Sequence, residues 1–226
     1  MFAHLMNGNY IMKMRKFEIP DQVKTYYNPM TDQAYSALPC GLFRANLMIE
    51  ADALLPELKQ YYTSAFWMLV NEGHEPEEWE IDVKIHMLMK DQYPCIPNWH
   101  CDNVPRNSEG KLDYSAADTG IPMYLLVTGN PTTEFVSEDT DFDADFVDHA
   151  DVANRINTGN VKTLTVPEDT WVKFYQNTPH RGTMATEKCW RIFIRLSHKS
   201  ILPLRKTISP IRRHCQVYLD ASQFSW

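Results

Sequence analysis

The run Arg191-Ile192-Phe193-Ile194-Arg195-Leu196-Ser197 decides how this chain is read. On a strand, successive side chains point to opposite faces. Ile192, Ile194 and Leu196 then share one face, and Arg191, Phe193, Arg195 and Ser197 share the other. The first face asks for an apolar core. The second carries two guanidinium groups, which are costly to bury without an anion and whose fork matches a carboxylate. An edge strand with a wet or acid-paired arginine face is the simpler alternative.

Four further β-prone runs lie upstream, at residues 82–90 (DVKIHMLMK), 123–128 (MYLLVT), 161–166 (VKTLTV) and 171–175 (WVKFY). Turn formers separate several of them: Gly129-Asn130-Pro131, Pro167-Glu168-Asp169 and Arg181-Gly182-Thr183. Before them the clearest helix covers residues 56–72, where Leu55, Leu58, Tyr62, Ala65, Phe66 and Leu69 recur at three- and four-residue steps and Gly73 is a natural stop. Phe66, Trp67 and Met68 are expected to pack in the core. The chain reads as one mainly β domain, 1–226, a β-sandwich or open barrel with N-terminal helical buttressing. Residues 1–79 form the extension and helical support, 80–197 the β core, and 198–226 a basic tail.

Composition agrees with an ordinary globular chain. The 226 residues are 44% apolar and 23% charged. A chain of this size buries enough surface to need no metal merely to fold. The net charge of −7 argues against nucleic-acid binding through a broadly basic surface. No apolar run approaches the ~20 residues of a membrane helix, and the first residues lack a signal core. The five cysteines form no CxxC pair, so neither a zinc knuckle nor a disulfide framework is indicated. A cytoplasmic, reducing setting is expected. Charge is uneven. Residues 134–151 carry eight carboxylates and no lysine or arginine, which reads as a solvated acidic loop. The tail carries Lys199, Arg205, Lys206, Arg212 and Arg213, and either holds an anionic substrate or docks on that loop.

The chemistry-bearing residues are His100 and Asp102, in Trp99-His100-Cys101-Asp102, and His180, in Thr178-Pro179-His180-Arg181-Gly182. Two imidazoles and a carboxylate can occupy one face of an octahedral ferrous ion, leaving positions for a bidentate co-substrate and oxygen. His100 and Asp102 sit two apart because alternate strand side chains point the same way. A second H-x-D, His149-Ala150-Asp151, competes, but it lies in the acidic run with no strand leading into it. His86 and His74 read as ordinary structural histidines. Asn98 falls on the same side as His100 in a regular strand and is a candidate pocket residue. Tyr124 is a candidate co-substrate hydrogen-bond donor, with core packing as the alternative.

The pattern His100-x-Asp102, then His180, then Arg191 eleven residues on, resembles the Fe(II)- and 2-oxoglutarate-dependent oxygenase superfamily. Trp99-His100-Cys101-Asp102 is similar to the W-H-x-D of its phytanoyl-CoA hydroxylase branch, and the Arg191/Arg195 spacing to that of taurine dioxygenase relatives. The likeness covers residues 80–197. It implies a double-stranded β-helix (a jelly-roll, cupin-like fold), with Fe(II) held by His100, Asp102 and His180. It also implies that Arg191 grips the distal carboxylate of 2-oxoglutarate while Arg195 faces the active site. A second register, Arg195-Leu196-Ser197 as R-x-S, makes Arg195 the anchor. The implied reaction consumes O₂ and 2-oxoglutarate, releases succinate and CO₂, and hydroxylates a substrate whose identity the motifs do not fix. A nucleotide or nucleic acid is compatible but not favoured. The rival readings are a non-redox cupin-like metal enzyme and a non-catalytic β-barrel.

Overall fold

The computed structural model describes residues 11–21, 27, 28, 30–143, 148–204 and 209–219. In chain order these form β1 (Ile11–Met14), α1 (Asp32–Ser36), β2 (Gly41–Asn46), α2 (Ala51–Leu54), α3 (Lys59–Asn71), β3 (Trp79–Leu88), β4 (Met123–Thr128), β5 (Thr133–Val136), β6 (Thr140–Asp143), α4 (His149–Thr158), β7 (Thr163–Thr165), β8 (Val172–Phe174), β9 (His180–Gly182), β10 (Cys189–His198) and β11 (Ile211–Arg212). The class is mainly β with few helices. Each of the five β-prone runs holds a strand; β4 matches its run at both ends, and the others shift by one to three residues.

All strand pairs are antiparallel. β10 is central to a six-stranded sheet of order β11-β2-β3-β10-β4-β8, and a second sheet has the order β7-β5-β9. β1 and β6 make a separate ribbon. Sheets do not close into a barrel among the described residues. β10 pairs with β3 along its whole length, Arg191 opposite His86 and Arg195 opposite Asp82. On its other side it pairs with β4, Arg195 opposite Leu125. β2 lies within residues 1–79 and β11 within the tail, so the large sheet extends beyond 80–197 at both ends.

The alternation in β10 sorts as its sequence dictates. Ile192, Ile194 and Leu196 are fully buried with Ile81 and Val83 against the helix layer. Residues 56–72 fold as a 3₁₀ turn, Pro56–Leu58, running into α3. Gly73 ends the helix at φ +78, a left-handed position that favours glycine. α3 buries Tyr61, Tyr62, Ala65, Met68 and Leu69 on one face. Of the expected Phe66-Trp67-Met68 core cluster only Met68 is buried; Trp67 is half exposed, because it falls a third of a turn off that face. A second apolar cluster, including Leu125, Val127, Phe135, Val172 and Phe174, joins strands of both sheets.

The acidic run is not a loop. Residues 134–151 contain most of β5, all of β6 and the start of α4. Its carboxylates are used locally: Asp148 caps α4 by accepting from the backbone N–H of Ala150 and Asp151, and Glu134 accepts from Arg181 Nε at 2.7 Å and Thr163 Oγ1 at 2.7 Å. Asp145 lies outside the described residues, as do Arg205 and Lys206 of the tail. The tail's Arg212 pairs with Asp82 on β3, not with the acidic run. No helix among the described residues is long and apolar enough to cross a membrane.

Candidate metal centre

His100 lies just beyond the edge of the small sheet and is joined to β9 by reciprocal backbone bonds with His180: His100 N–H to His180 O at 3.0 Å and His180 N–H to His100 O at 2.9 Å. That bridge fixes the two imidazoles side by side, with ring centroids 4.5 Å apart. Directly after Asp102, Asn103 adopts φ +57, a left-handed turn that asparagine tolerates better than most residues. The extended segment therefore ends where its second ligand has been placed.

Three donor atoms converge. His180 Nε2 lies 3.4 Å from Asp102 Oδ2, and His100 Nε2 lies 4.0 Å from Asp102 Oδ1. The group His100, Asp102 and His180 could hold a metal ion. The opposite ring nitrogens settle the tautomers. His100 Nδ1 donates to Asn98 O at 2.9 Å, and His180 Nδ1 donates to Thr178 O at 3.1 Å. A carbonyl can only accept, so each Nδ1 carries a hydrogen and each Nε2 is left facing Asp102. Backbone anchoring of this kind orients metal-ligating histidines.

The electrostatics agree. Burial, with His180 beside it, pushes His100 down to about 3, so the imidazole is neutral. Burial alone would raise Asp102, but Arg195 and then His180 outweigh it and hold the carboxyl well below its usual range. Arg195 makes a close contact from Nη1 to Asp102 Oδ2 and donates from Nη2 to Asp82 Oδ2 at 2.7 Å. It is thus a positioning residue for the carboxylate ligand. A cavity of about 470 Å³ opens over the three ligands, its wall including Lys84, Cys95, Phe193, Arg195, Arg212 and His214. That is within the size range of small-molecule sites.

The other expected residues fall at varying distances from this centre. Asn98 contributes its backbone carbonyl behind His100. Arg191 lies on the same face of β10 as Arg195 but is not on the cavity wall; it is 1% exposed, with its Nε donating to Pro131 O at 2.7 Å. Tyr124 points the other way. Its hydroxyl bonds His74 Nε2 at 2.7 Å under the helix layer, and its side chain is not on the cavity wall. The second H-x-D lies at the start of α4. Asp151 is not in the metal-competent group, and His149 sits edge-on to His100, 6.2 Å between ring centroids, with its Nδ1 bonded to the Tyr114 hydroxyl at 2.6 Å.

Sequence reasoning missed Lys84 and Asp82, and it named Arg212 only as one of five tail cations that could hold an anionic substrate. The signal was present in residues 82–90, where Asp82, Lys84 and His86 alternate with Val83, Ile85 and Met87. That polar phase faces the cavity side, opposite the arginine face of β10. The chain matches no family model, no curated protein and no solved structure.

Proposed function

We propose that this chain is an Fe(II)- and 2-oxoglutarate-dependent oxygenase on a double-stranded β-helix, hydroxylating a substrate in the cavity above His100, Asp102 and His180. The observation that carries the reading is the convergence of two imidazole Nε2 atoms and one carboxylate, each side chain held by its own anchor. Two histidines and a carboxylate with open positions suit ferrous iron that must also accept a keto acid and oxygen. When bound, iron with 2-oxoglutarate and O₂ supplies the oxidising chemistry, with succinate and CO₂ as co-products.

Strand order supports the fold assignment. Taken along the chain, β3 lies in the large sheet, the His100 segment beside the small one, β4 in the large, β5 and β7 in the small, β8 in the large, β9 in the small and β10 in the large. That winding between two antiparallel sheets is what a double-stranded β-helix requires, with β1, β2, β6 and β11 as additions.

The chain's own residues divide the work. Arg195 is spent on Asp102 and Asp82, which favours Arg191 as the co-substrate anchor. Both Arg191 Nη atoms are buried without a hydrogen-bond partner, two donors in fork geometry that a carboxylate would satisfy. Phe193, on the cavity wall, lies against that guanidinium, 5.6 Å from ring centroid to Cζ.

Anaerobic addition of Fe(II) and 2-oxoglutarate should give a weak visible charge-transfer band, absent in His180→Ala. Arg191→Ala should keep iron and raise the 2-oxoglutarate requirement. Loss of the band in Arg195→Ala with no change in Arg191→Ala would reverse the register, and no band in the wild type would sink the oxygenase assignment.

A further inference from the structure

The wall of the cavity carries more positive charge than the described residues neutralise. Three cations stand there, Lys84, Arg195 and Arg212. They share two carboxylates. Asp82 accepts from Arg195 at 2.7 Å and from Arg212 at 3.2 Å, and Asp102 takes the second arm of Arg195 while serving in the metal-competent group. Lys84 has neither an ion pair nor a hydrogen bond among the described residues; its ammonium lies 5.1 Å from the centroid of the Phe193 ring. Burial lowers its proton affinity; Cys95 opposes this, Arg195 and Arg212 add to it, and Asp102 opposes more weakly. A partly desolvated cation in this position lacks its anion.

Register makes the place for one. Across the large sheet Arg212 is opposite Gly41, and Gly41 is opposite Lys84. Position 41 is at φ +126, and a Cβ there would come within 2.1 Å of Val83 O, so no side chain can fill the gap between the two cations. Arg212 is held in place by Nε donating to Leu42 O at 2.9 Å. His214 stands on the same wall.

We infer that the substrate is a small molecule bearing a compact oxyanion, a carboxylate or a phosphate, which Lys84 and Arg212 hold beside the metal ligands. This rests on the oxygenase reading only in calling the bound molecule its substrate; the anion site itself depends on the wall residues alone.

The test is isothermal titration of the full chain, without added metal, with inorganic phosphate and separately with acetate. At least one should bind with 1:1 stoichiometry, and the stronger of the two identifies the group. Lys84→Met should weaken that binding about tenfold, Arg212→Met about threefold, and Lys84→Arg should stay near wild type. Co(II) binding at the histidines should be unchanged in all three variants, which shows that each keeps its cavity. Absence of binding by either anion, or equal binding in Lys84→Met and wild type, would overturn the inference. So would a Lys84→Met variant that loses 2-oxoglutarate affinity while keeping phosphate and acetate, since Lys84 would then serve the co-substrate. Failure of the charge-transfer band leaves these metal-free titrations readable, so the two readings fall separately.

Discussion

Toward α3, strands β3 and β10 present Ile81, Val83, Ile85, Ile192, Ile194 and Leu196, none more than 5% exposed. Toward the cavity the same strands present Asp82, Lys84, His86, Arg191, Arg195 and Ser197. The first face is complete in itself, since apolar side chains packed against a helix leave nothing to satisfy. The second is unfinished. Both ring nitrogens of His86, both Nη of Arg191, Arg195 Nε and Ser197 Oγ are buried without a hydrogen-bond partner, and the helix-facing side of these strands has no such atom. Local rules of satisfaction tend to be broken where a chain works. Stability of the two faces should therefore respond to different challenges.

Acidification gives the largest expected effect. Burial pushes His86 and His100 down to about 3. In the unfolded chain an imidazole takes up its proton near pH 6.5, so the unfolded state binds more protons throughout the window between. Stability is then full above about pH 6.5 and falls as pH drops toward 3, by on the order of 2–3 kcal/mol per histidine at pH 4.5. Urea unfolding of metal-free protein at pH 7 and 4.5 measures it, and His86→Leu should remove its own share, on the order of 2–3 kcal/mol, the rest staying with His100 and with His149, which burial lowers to about 4. A flat profile would mean that water reaches this face and that the contrast is overstated.

Asp82→Asn comes next. Asp82 is 4% exposed and carries contacts from Arg195 and Arg212, so the change leaves both guanidiniums short of a carboxylate. Removing one member of a buried ion pair costs about 3–5 kcal/mol, and denaturant midpoints should show that loss. On the other face Ile194→Ala, at a fully buried position, should cost about 2–4 kcal/mol through a cavity alone. Its Co(II) affinity should match wild type. A drop in that affinity would show that the two faces are mechanically coupled.

The faces also differ in how well they could be read from sequence. Ile192, Ile194 and Leu196 announce their side because an apolar and a polar phase alternate at period two. The candidate pair His100 and Asp102 was legible for the same reason, and His180 through its spacing to Arg191. Nothing local assigns a phase to MYLLVT, where apolar residues occupy both sides because β4 is covered on both. Lys84 and His86 stood in plain alternation, yet what they face is decided by β11, β2 and the cavity, more than a hundred residues away in part. The acidic run misled because a charge count ignores partners: Glu134 finds Arg181 across a strand pair, and Asp148 caps a helix. Pairing across the sheet settled Glu134, and a local helix cap settled Asp148.

The smallest effect bears on Tyr124, the residue whose side sequence could not assign. Its hydroxyl meets His74 Nε2 at 2.7 Å and donates to Glu72 at 3.3 Å, while Lys173 pairs with the same Glu72 at 3.0 Å. Tyr124→Phe keeps the ring between Trp79 and His74 and removes one hydroxyl from that network. The expected cost is about 1 kcal/mol, the usual worth of a hydrogen bond, with Glu72 keeping its bond from Lys173. Because Leu125, its neighbour, is the residue that lines the cavity, Co(II) affinity and, on the proposed oxygenase reading, the 2-oxoglutarate requirement should not move. A shift in either would place the hydroxyl's influence across the sheet, and the division between a finished and an unfinished face would fail at β4.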